Sequence, residues 1–221
     1  MFFQRKNISC PLLFEDIPLS TPLEHLKFMV VDTETTGFHV SSNDRLIEIG
    51  AVSVKGFQVL EEKKFQTYVN PKRQISREIT ELTSISNEKV KTAPEALEAI
   101  KHFFDLVKEW ETVCLVGHYV SFDELVFKNE LKNSKLNLKN FYAIDTLDLI
   151  GTVAPSYDMR DLERYARIFG TRIYERHSAL GDALTTAYLF TELLWQFKLR
   201  GNNTWGELIN ATKSQMRSNS I

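Results

Sequence analysis

Alternating apolar and polar residues predict strands near the start of the chain. The segments are "HLKFMVV" at 25–31, "RLIEIGAVSV" at 45–54 and "FQVLEEKKFQTYV" at 57–69. Their pattern is typical of strands that bury at least one face. Because only the short turn "KGF" separates the second segment from the third, we expect these two strands to form an antiparallel hairpin.

The apolar period then changes from about two residues to three or four. The segment "APEALEAIKHFFDLVKEW" carries a helical stripe that starts near Pro94, and "TVCLVGH" at 112–118 predicts a short buried strand. Further helices are expected at about 121–133, at 159–169 and at 179–198. An antiparallel hairpin followed by strands alternating with helices indicates an α/β fold.

These elements predict one domain at residues 26–199 with a segment at each end. Residues 1–25 contain three prolines and are expected to form an irregular arm. Residues 200–221 are expected to form a polar tail, in which "WGELI" makes a short docking turn.

Composition places the chain in the ordinary globular class. Of its 221 residues, 43% are hydrophobic and 25% are charged, which suits a well-buried core. No apolar run approaches the ~18 residues needed to span a bilayer, so we expect a cytoplasmic protein with no membrane partner. Cys10 and Cys114 lie far apart without metal-ligand spacing, so both are expected to be inert, with Cys114 in the core.

Charge limits how the protein could bind a polyanion. The chain carries 27 basic and 29 acidic side chains, for a net charge of -2. Any nucleic-acid binding must therefore be local, through metal ions or a basic patch.

Two carboxylates stand close together in "VVDTETTGF" at residues 30–38. Asp32 and Glu34 are two positions apart after an apolar run, so in a strand they project from the same face. Such like charges repel unless positive charge lies between them, and a divalent cation is the obvious candidate. The alternative is that both acids lie at a frayed strand end in water.

Three further polar residues occur at the starts of predicted helices. Asp123 follows the strand "LVGH" and falls in the first turn of the next helix. Ser178 can cap the helix that begins at Ala179, which leaves His177 in the preceding loop and Asp182 in the first turn. Taken singly, each has a simpler interpretation, as a capping acid or an ordinary loop residue.

Together, "VDTETTG", "LVGHYVSFD" and "HSALGDA" resemble the three motifs of the DEDDh 3′–5′ exonuclease superfamily, in order and spacing. This superfamily includes the proofreading epsilon subunit of bacterial DNA polymerase III, and the resemblance runs from about residue 28 to residue 194. It implies an RNase-H-like fold with a mixed five-stranded sheet and helices on its faces.

The resemblance also implies roles for individual residues. The four metal-binding carboxylates would be Asp32, Glu34, Asp123 and Asp182, and His177 would be the fifth catalytic residue. Phosphodiester hydrolysis is served by two cations about 4 Å apart, and hard Mg²⁺ or Mn²⁺ prefers such oxygen ligands. The imidazole of His177 suits a general base near neutral pH.

Residues near these motifs are candidates for substrate binding. After the acids, small hydroxyls and a glycine allow a nucleotide to approach the main chain, although a plain strand-ending turn would use the same residues. Aromatic residues could stack on a base or belong to the core. The candidates are Thr35, Thr36, Gly37, Ser84, Ile85, His118, Tyr119 and Phe122.

The chain departs from the common family pattern at two of these positions. Tyr119 stands where the family commonly has Asn, and Ser84 stands where it commonly has Gly. Both lie near the expected nucleotide cleft, so they put the substrate preference in doubt more than the activity.

A row of arginines precedes His177. Its members could follow the phosphate backbone of a nucleic-acid strand, but interspersed acids favour a solvated helix face. The row comprises Arg160, Arg164, Arg167, Arg172 and Arg176.

Three functions remain open from the sequence. The favoured one is a metal-dependent 3′–5′ exonuclease on single-stranded DNA, in proofreading or repair, with single-stranded 3′ ends and a DNA polymerase subunit as partners. The second is an enzyme that trims RNA 3′ ends, since discrimination against the 2′-hydroxyl depends on cleft shape. The third is a non-enzymatic nucleic-acid or polymerase-binding module, although a pure binder has no need of acids that repel a polyanion.

Overall fold

The computed structural model describes residues 5–154 and 161–212. In these ranges the strands are β1 (Lys6–Ser9), β2 (Lys27–Thr35), β3 (Leu46–Lys55), β4 (Gln58–Tyr68), β5 (Cys114–Gly117), β6 (Leu136–Lys139) and β7 (Ala143–Asp145). The helices are α1 (Arg77–Thr83), α2 (Asn87–Val90), α3 (Ala96–Glu109), α4 (Ser121–Asn133), α5 (Thr146–Val153), α6 (Leu162–Ile168), α7 (Ala179–Leu199) and α8 (Trp205–Ala211). No helix in the described parts is long and apolar enough to cross a membrane.

The main sheet has five strands in the order β4-β3-β2-β5-β7. Strands β2, β3 and β4 pair antiparallel, whereas β5 pairs parallel with both β2 and β7. This confirms the mixed five-stranded sheet, and the predicted hairpin is the β3–β4 pair. The central strand, β2, is the one that carries Asp32 and Glu34.

Helices cover both faces of the sheet. This is expected because the central strand, β2, carries apolar residues that are buried on both of its sides. Along β2, Phe28 and Val30 belong to a core with α5, α6, α7 and α8. Met29 and Val31 belong to a second core with α3 and α4. Successive residues of β2 therefore face opposite cores, which fixes this strand in the middle of the molecule.

The predicted helices at 121–133 and 179–198 agree with α4 and α7 to within one residue. The helix predicted at 159–169 corresponds to α6, and its first two residues lie outside the described ranges. Cys10 and Cys114 are both buried and unpaired, and burial raises the pKa of each thiol, which agrees with inert side chains.

The described parts of both terminal segments contain more regular structure than the sequence predicts. Within the arm expected to be irregular, β1 pairs parallel with β6, and residues 23–25 form a 3₁₀ turn with Leu23 buried. The sequence of β1, "KNIS", is short and mostly polar, so no local pattern predicts a strand there. The strand forms by pairing with residues about 130 positions away.

The "WGELI" segment docks as predicted, but as the two-turn helix α8. Thr204 and Glu207 form a capping box at its start, and Trp205 is fully buried. The "KSQMRSNS" part of the predicted tail lies outside the described residues. The domain limits at residues 26 and 199 stay predictions.

Candidate active site

Three of the predicted acids converge at the end of the central strand. Asp32 and Glu34 come from β2, and Asp182 comes from the first turn of α7. One carboxylate oxygen from each lies within 4.8 Å of the others. We call these three residues the carboxylate cluster.

The start of α7 reaches the cluster because glycines permit close backbone contact. Gly50 of β3 is the partner of Asp32 in the sheet, and a Cβ atom there would lie 2.2 Å from the backbone of Ala179. A Cβ at Gly181 would lie 1.9 Å from the carbonyl oxygen of Glu175. A larger residue at Gly50 would push the start of α7 away from β3, and a larger residue at Gly181 would displace the loop that precedes α7.

Glu48 holds the same helix start by a hydrogen bond. Its buried carboxylate accepts from the backbone N–H of Ala179 at 2.9 Å and from Gln66 Nε2 at 2.6 Å. Ser178 occupies the predicted N-cap position, but its side chain makes no capping hydrogen bond. The predicted capping hydrogen bond from Ser178 is therefore wrong. Glu48 of β3 accepts a hydrogen bond from the start of this helix instead.

Asp123, the fourth predicted acid, lies beside the carboxylate cluster but is not one of its three members. It is buried in the first turn of α4 and accepts a hydrogen bond from Thr33 Oγ1 at 2.7 Å. Asp145 supports this helix start, since it accepts from the backbone N–H groups of Tyr119 and Val120 at 3.1 and 3.0 Å. The side chain of Asp123 is thus held from β2, and its helix is held from β7.

Burial and mutual repulsion make the acids of the site hard to ionise. Burial raises the pKa of Asp32 well above its usual range, and the charges of Asp123, Asp182 and Glu34 raise it further. Burial, followed by the charges of Asp182 and Glu48, raises the pKa of Glu34 to about 8. Burial also raises the pKa of Asp123 to about 7.

This donor set fits a divalent cation. The ligand atoms are carboxylate oxygens, which hard cations prefer, and several of them lie close enough together to share one ion. Among the described groups near Asp182, Arg176 and His177 supply the opposing positive character and favour its ionised form. Asp32, Glu34 and Asp182 would hold the cation, with Asp123 next to them.

His177 lies at the edge of the cluster in the loop before α7. Its side chain is exposed, its φ is 58°, and its backbone N–H donates to Asp182 Oδ2 at 3.3 Å. A positive φ is uncommon for residues other than glycine but is tolerated by His, Asn and Asp. The loop thus presents His177 to solvent beside Asp182, as its sequence position predicts.

The turn after β2 uses its own hydroxyls for structure. Thr35 Oγ1 donates to the carbonyl of Gly37 at 2.6 Å, and Thr36 Oγ1 donates to Asp44 Oδ1 at 2.9 Å. Gly37 has a φ of 153°, and a Cβ atom there would lie 2.6 Å from Asp44 Oδ2. The sequence "TTG" is therefore required by the turn itself, whether or not a nucleotide contacts it.

The other substrate-binding candidates differ in accessibility. Tyr119 is 50% exposed, and the Phe122 ring lies 6.2 Å from that of Phe38, which is 81% exposed. His118 contacts Thr146 Oγ1 at 2.7 Å and packs its ring edge-on against Tyr165. Ile85 is buried in a small apolar cluster with Ile47, Ile75 and Val90, so its side chain serves packing.

The arginine row does not act as a unit. Arg167 pairs with Glu163 on the exposed side of α6, and Arg172 pairs with Glu61. Arg164 is exposed, and Arg160 lies outside the described residues. Arg176 differs from the rest because it forms an ion pair with Asp182 inside the site, and only its place next to His177 could have indicated this.

Comparison with known proteins agrees with this geometry. An exonuclease family model, RNase T, matches residues 29–190. A "DNA polymerase III PolC-type" protein of Caldanaerobacter subterraneus subsp. tengcongensis is 34% identical over 182 residues, which cover 82% of this chain and 12% of that protein. A "DNA polymerase III subunit epsilon-like protein" of Rhodobacter capsulatus is 34% identical over 200 residues, or 89% of this chain and 28% of that protein.

Solved structures share the fold at low identity. The nuclease domain of 3′hExo, a DEDDh family member bound to rAMP, has a TM-score of 0.70 at 20% identity and covers 79% of this chain and 94% of that one. Exonuclease X in complex with 5′ overhanging duplex DNA has a TM-score of 0.62 at 20% identity, with coverages of 84% and 99%.

A mixed sheet with half-buried carboxylates on its central strand and a buried carboxylate on a facing helix defines an RNase-H-like nuclease, a phosphodiester hydrolase of the class that uses divalent metal ions. The chain belongs to the RNase T exonuclease family.

The two departures from the family pattern share a backbone property. Ser84, at the C-terminus of α1, has a φ of 58°, and Tyr119, before α4, has a φ of 65°. Glycine and asparagine, the common family residues, are those that adopt positive φ most readily. Backbone conformation therefore explains the family preference at both positions without any contact to substrate.

We expect Ser84→Gly to stabilise the protein by about 0.5–1 kcal/mol, because glycine relieves the left-handed conformation. The matched control is Ser134→Gly, since Ser134 ends α4 with a φ of -87° and glycine there should destabilise by a similar amount. Urea unfolding of both variants measures the difference, and equal effects of the two substitutions would contradict this account.

Glu34→Gln should change the pH dependence of stability in chelator. Since the folded pKa of Glu34 is raised from 4.5 to about 8, the unfolded chain loses its proton first as the pH rises. The folded protein therefore becomes less stable relative to the unfolded chain as the pH rises from about 4.5 to about 8. We expect the variant to melt a few degrees above the wild type at pH 8, and at the wild-type temperature at pH 4.5. Equal melting temperatures of the two proteins at both pH values would show that the pKa of Glu34 is not raised in the folded state.

Proposed function

We propose that the protein is a 3′–5′ exonuclease that hydrolyses the terminal phosphodiester of single-stranded DNA and releases nucleoside 5′-monophosphates. The observation that carries the proposal is the convergence of Asp32, Glu34 and Asp182 within 4.8 Å, with Asp123 buried next to them. A non-enzymatic module is less well supported, because these acids repel a polyanion and destabilise the fold without cations.

The residues divide the chemistry between them. Asp32, Glu34, Asp123 and Asp182 would hold two cations, Mg²⁺ or Mn²⁺, and such cations would supply water activation and stabilisation of charge on the phosphate. His177, exposed at the edge of the cluster, takes the proton of the attacking water as general base.

The turn Thr35-Thr36-Gly37 places the main chain close to the terminal nucleotide. Its hydroxyls are already bonded within the turn, so it can hold its shape before substrate arrives. Tyr119 and Phe122 border the same region, where a base could stack on an exposed ring.

The names of two relatives support the proposed partners and location. Proteins 34% identical to this chain are named as DNA polymerase III components, which supports proofreading or repair in the cytoplasm, at single-stranded 3′ ends and in contact with a polymerase. This chain spans 12% and 28% of the lengths of those two relatives, so their remaining activities are not carried over.

Trimming of RNA 3′ ends is the second candidate. A structural neighbour of the same fold was solved with rAMP bound, which supports a ribonucleotide as an alternative ligand for this chain.

The test is digestion of matched end-labelled DNA and RNA oligonucleotides, single- and double-stranded, with Mg²⁺, Mn²⁺ or EDTA. We expect single-stranded DNA to be shortened from its 3′ end with release of 5′-monophosphates, and EDTA to abolish the reaction. Faster digestion of RNA would establish the second candidate instead. A circular single strand cut as fast as a linear one would contradict the exonuclease proposal, and full activity in EDTA would contradict the metal requirement.

A further inference from the structure

Arg176 and the next residue, His177, each donate a hydrogen bond to one carboxylate oxygen of Asp182. The guanidinium of Arg176 donates from Nη1 to Asp182 Oδ1, while the backbone N–H of His177 donates to Asp182 Oδ2 at 3.3 Å. The arginine side chain is 24% exposed and that of Asp182 is 9% exposed. An oxygen needed for a cation is therefore already engaged by a positive charge of the protein.

The influence of Arg176 extends beyond its direct partner. Its charge favours the ionised forms of Asp32 and Glu34 and so lowers the pKa of each, against the larger effect of burial. Arg176 thus acts on all three residues of the carboxylate cluster. Removing it would leave a partly buried cluster of like charges with weaker compensation.

We propose that Arg176 is an internal counter-charge that competes with cations for Asp182, and that it moves to a phosphate of the nucleic-acid strand when cations bind. The proposal rests on the function proposed above. A guanidinium suits both positions, because its fork of N–H donors matches carboxylate and phosphate oxygens equally. Arg176 lies in the loop before α7 and is partly exposed, so its side chain can exchange partners while α7 stays in place.

This exchange couples cation binding to strand binding. Without substrate, each cation must displace Arg176 from Asp182, which weakens cation affinity. When a phosphate holds the guanidinium, Asp182 is released, so the strand strengthens cation binding, and by reciprocity cations strengthen strand binding. The protein would then gather its full set of cations mainly on substrate.

The experiment is calorimetric titration of Mn²⁺ into the full chain, with and without thymidine 5′-monophosphate. We expect Arg176→Met to bind Mn²⁺ at least about fivefold more tightly than the wild type without nucleotide, the lower end of usual coupling factors. Addition of the nucleotide should strengthen Mn²⁺ binding more in the wild type than in Arg176→Met. Arg176→Lys, which keeps the charge, should retain wild-type Mn²⁺ affinity to within about twofold.

The control variant is Arg172→Met, from the same loop. Arg172 pairs with Glu61 and Tyr188 outside the cluster, so Mn²⁺ affinity should not change. Kinetics with a single-stranded oligonucleotide at saturating Mn²⁺ complete the test, and Arg176→Met should raise KM by at least about fivefold.

Each outcome decides a separate point. If Arg176→Met binds Mn²⁺ no more tightly than the wild type, Arg176 does not compete with cations for Asp182. Tighter Mn²⁺ binding with unchanged KM and unchanged coupling to the nucleotide overturns the transfer to phosphate. If the wild type digests no oligonucleotide, the proposed function fails, whereas the Mn²⁺ titrations still decide the role of Arg176.

Discussion

Asp32→Asn is expected to lower single-turnover hydrolysis by at least about three orders of magnitude, equivalent to ~4 kcal/mol of transition-state stabilisation. Asp32 lies on the central strand with one oxygen within 4.8 Å of ligand atoms of both Glu34 and Asp182. Its removal takes a charge from the centre of the proposed cation site. Because cations supply several kcal/mol of charge stabilisation in phosphodiester hydrolysis, the loss of one shared ligand should be severe.

The same substitution should affect stability in the opposite direction. The pKa of Asp32 is raised by burial and by three neighbouring carboxylates, so its charge opposes folding when no cation is bound. We therefore expect Asp32→Asn to melt at a higher temperature than the wild type at pH 8 in EDTA. It should also gain less stability from added Mn²⁺, since binding to the folded state stabilises by mass action.

The control for this variant is Asp161→Asn. Asp161 caps α6 by accepting from the backbone N–H of Arg164 at 2.8 Å, and asparagine caps helices about equally well. Its turnover and stability should match the wild type. Asp32→Asn that keeps more than a tenth of wild-type turnover, or that loses stability in EDTA, would show that Asp32 lies outside the reacting site.

The sequence could indicate which acids lie together because their local spacing carries that information. Alternation places Asp32 and Glu34 on one face of any strand, and a helix start confines Asp182 to its first turn. The family resemblance, and not a local pattern, predicted that these segments meet in space. No local pattern indicates that α7 packs across β3 next to β2. The mixed sheet was likewise implied by resemblance, and strand order confirms it.

Contacts that depend on distant partners could not be predicted in the same way. Gly50 and Glu48 look like minor interruptions of an apolar strand, but they decide where α7 begins. A lone acid in an otherwise buried strand is a signal for such a role, because a buried charge requires partners. The β1–β6 pair carries no comparable signal, since the four mostly polar residues of β1 acquire their structure from a strand far along the chain.

His177→Asn should lower turnover by about 10²- to 10⁴-fold, the range usual for a lost general base. Asparagine tolerates the positive φ of 58° at this position and keeps the backbone N–H that donates to Asp182, but it cannot take a proton from water. His177 lies outside the carboxylate cluster, so Mn²⁺ affinity should stay within about twofold of the wild type. This combination separates the histidine from the acids, whose loss should weaken both turnover and cation binding.

The matched control is His25→Asn, because His25 is exposed and precedes the start of β2, whereas the cluster lies near the end of that strand. Single-turnover digestion at saturating Mn²⁺ and calorimetric titration measure the two properties for each variant. If His177 is an ordinary loop residue, both histidine variants should lose less than about threefold in rate. If His177→Asn instead loses Mn²⁺ affinity together with rate, His177 acts on the cation site and is not the base. A slow variant with intact Mn²⁺ binding would leave proton transfer as the step that this side chain performs.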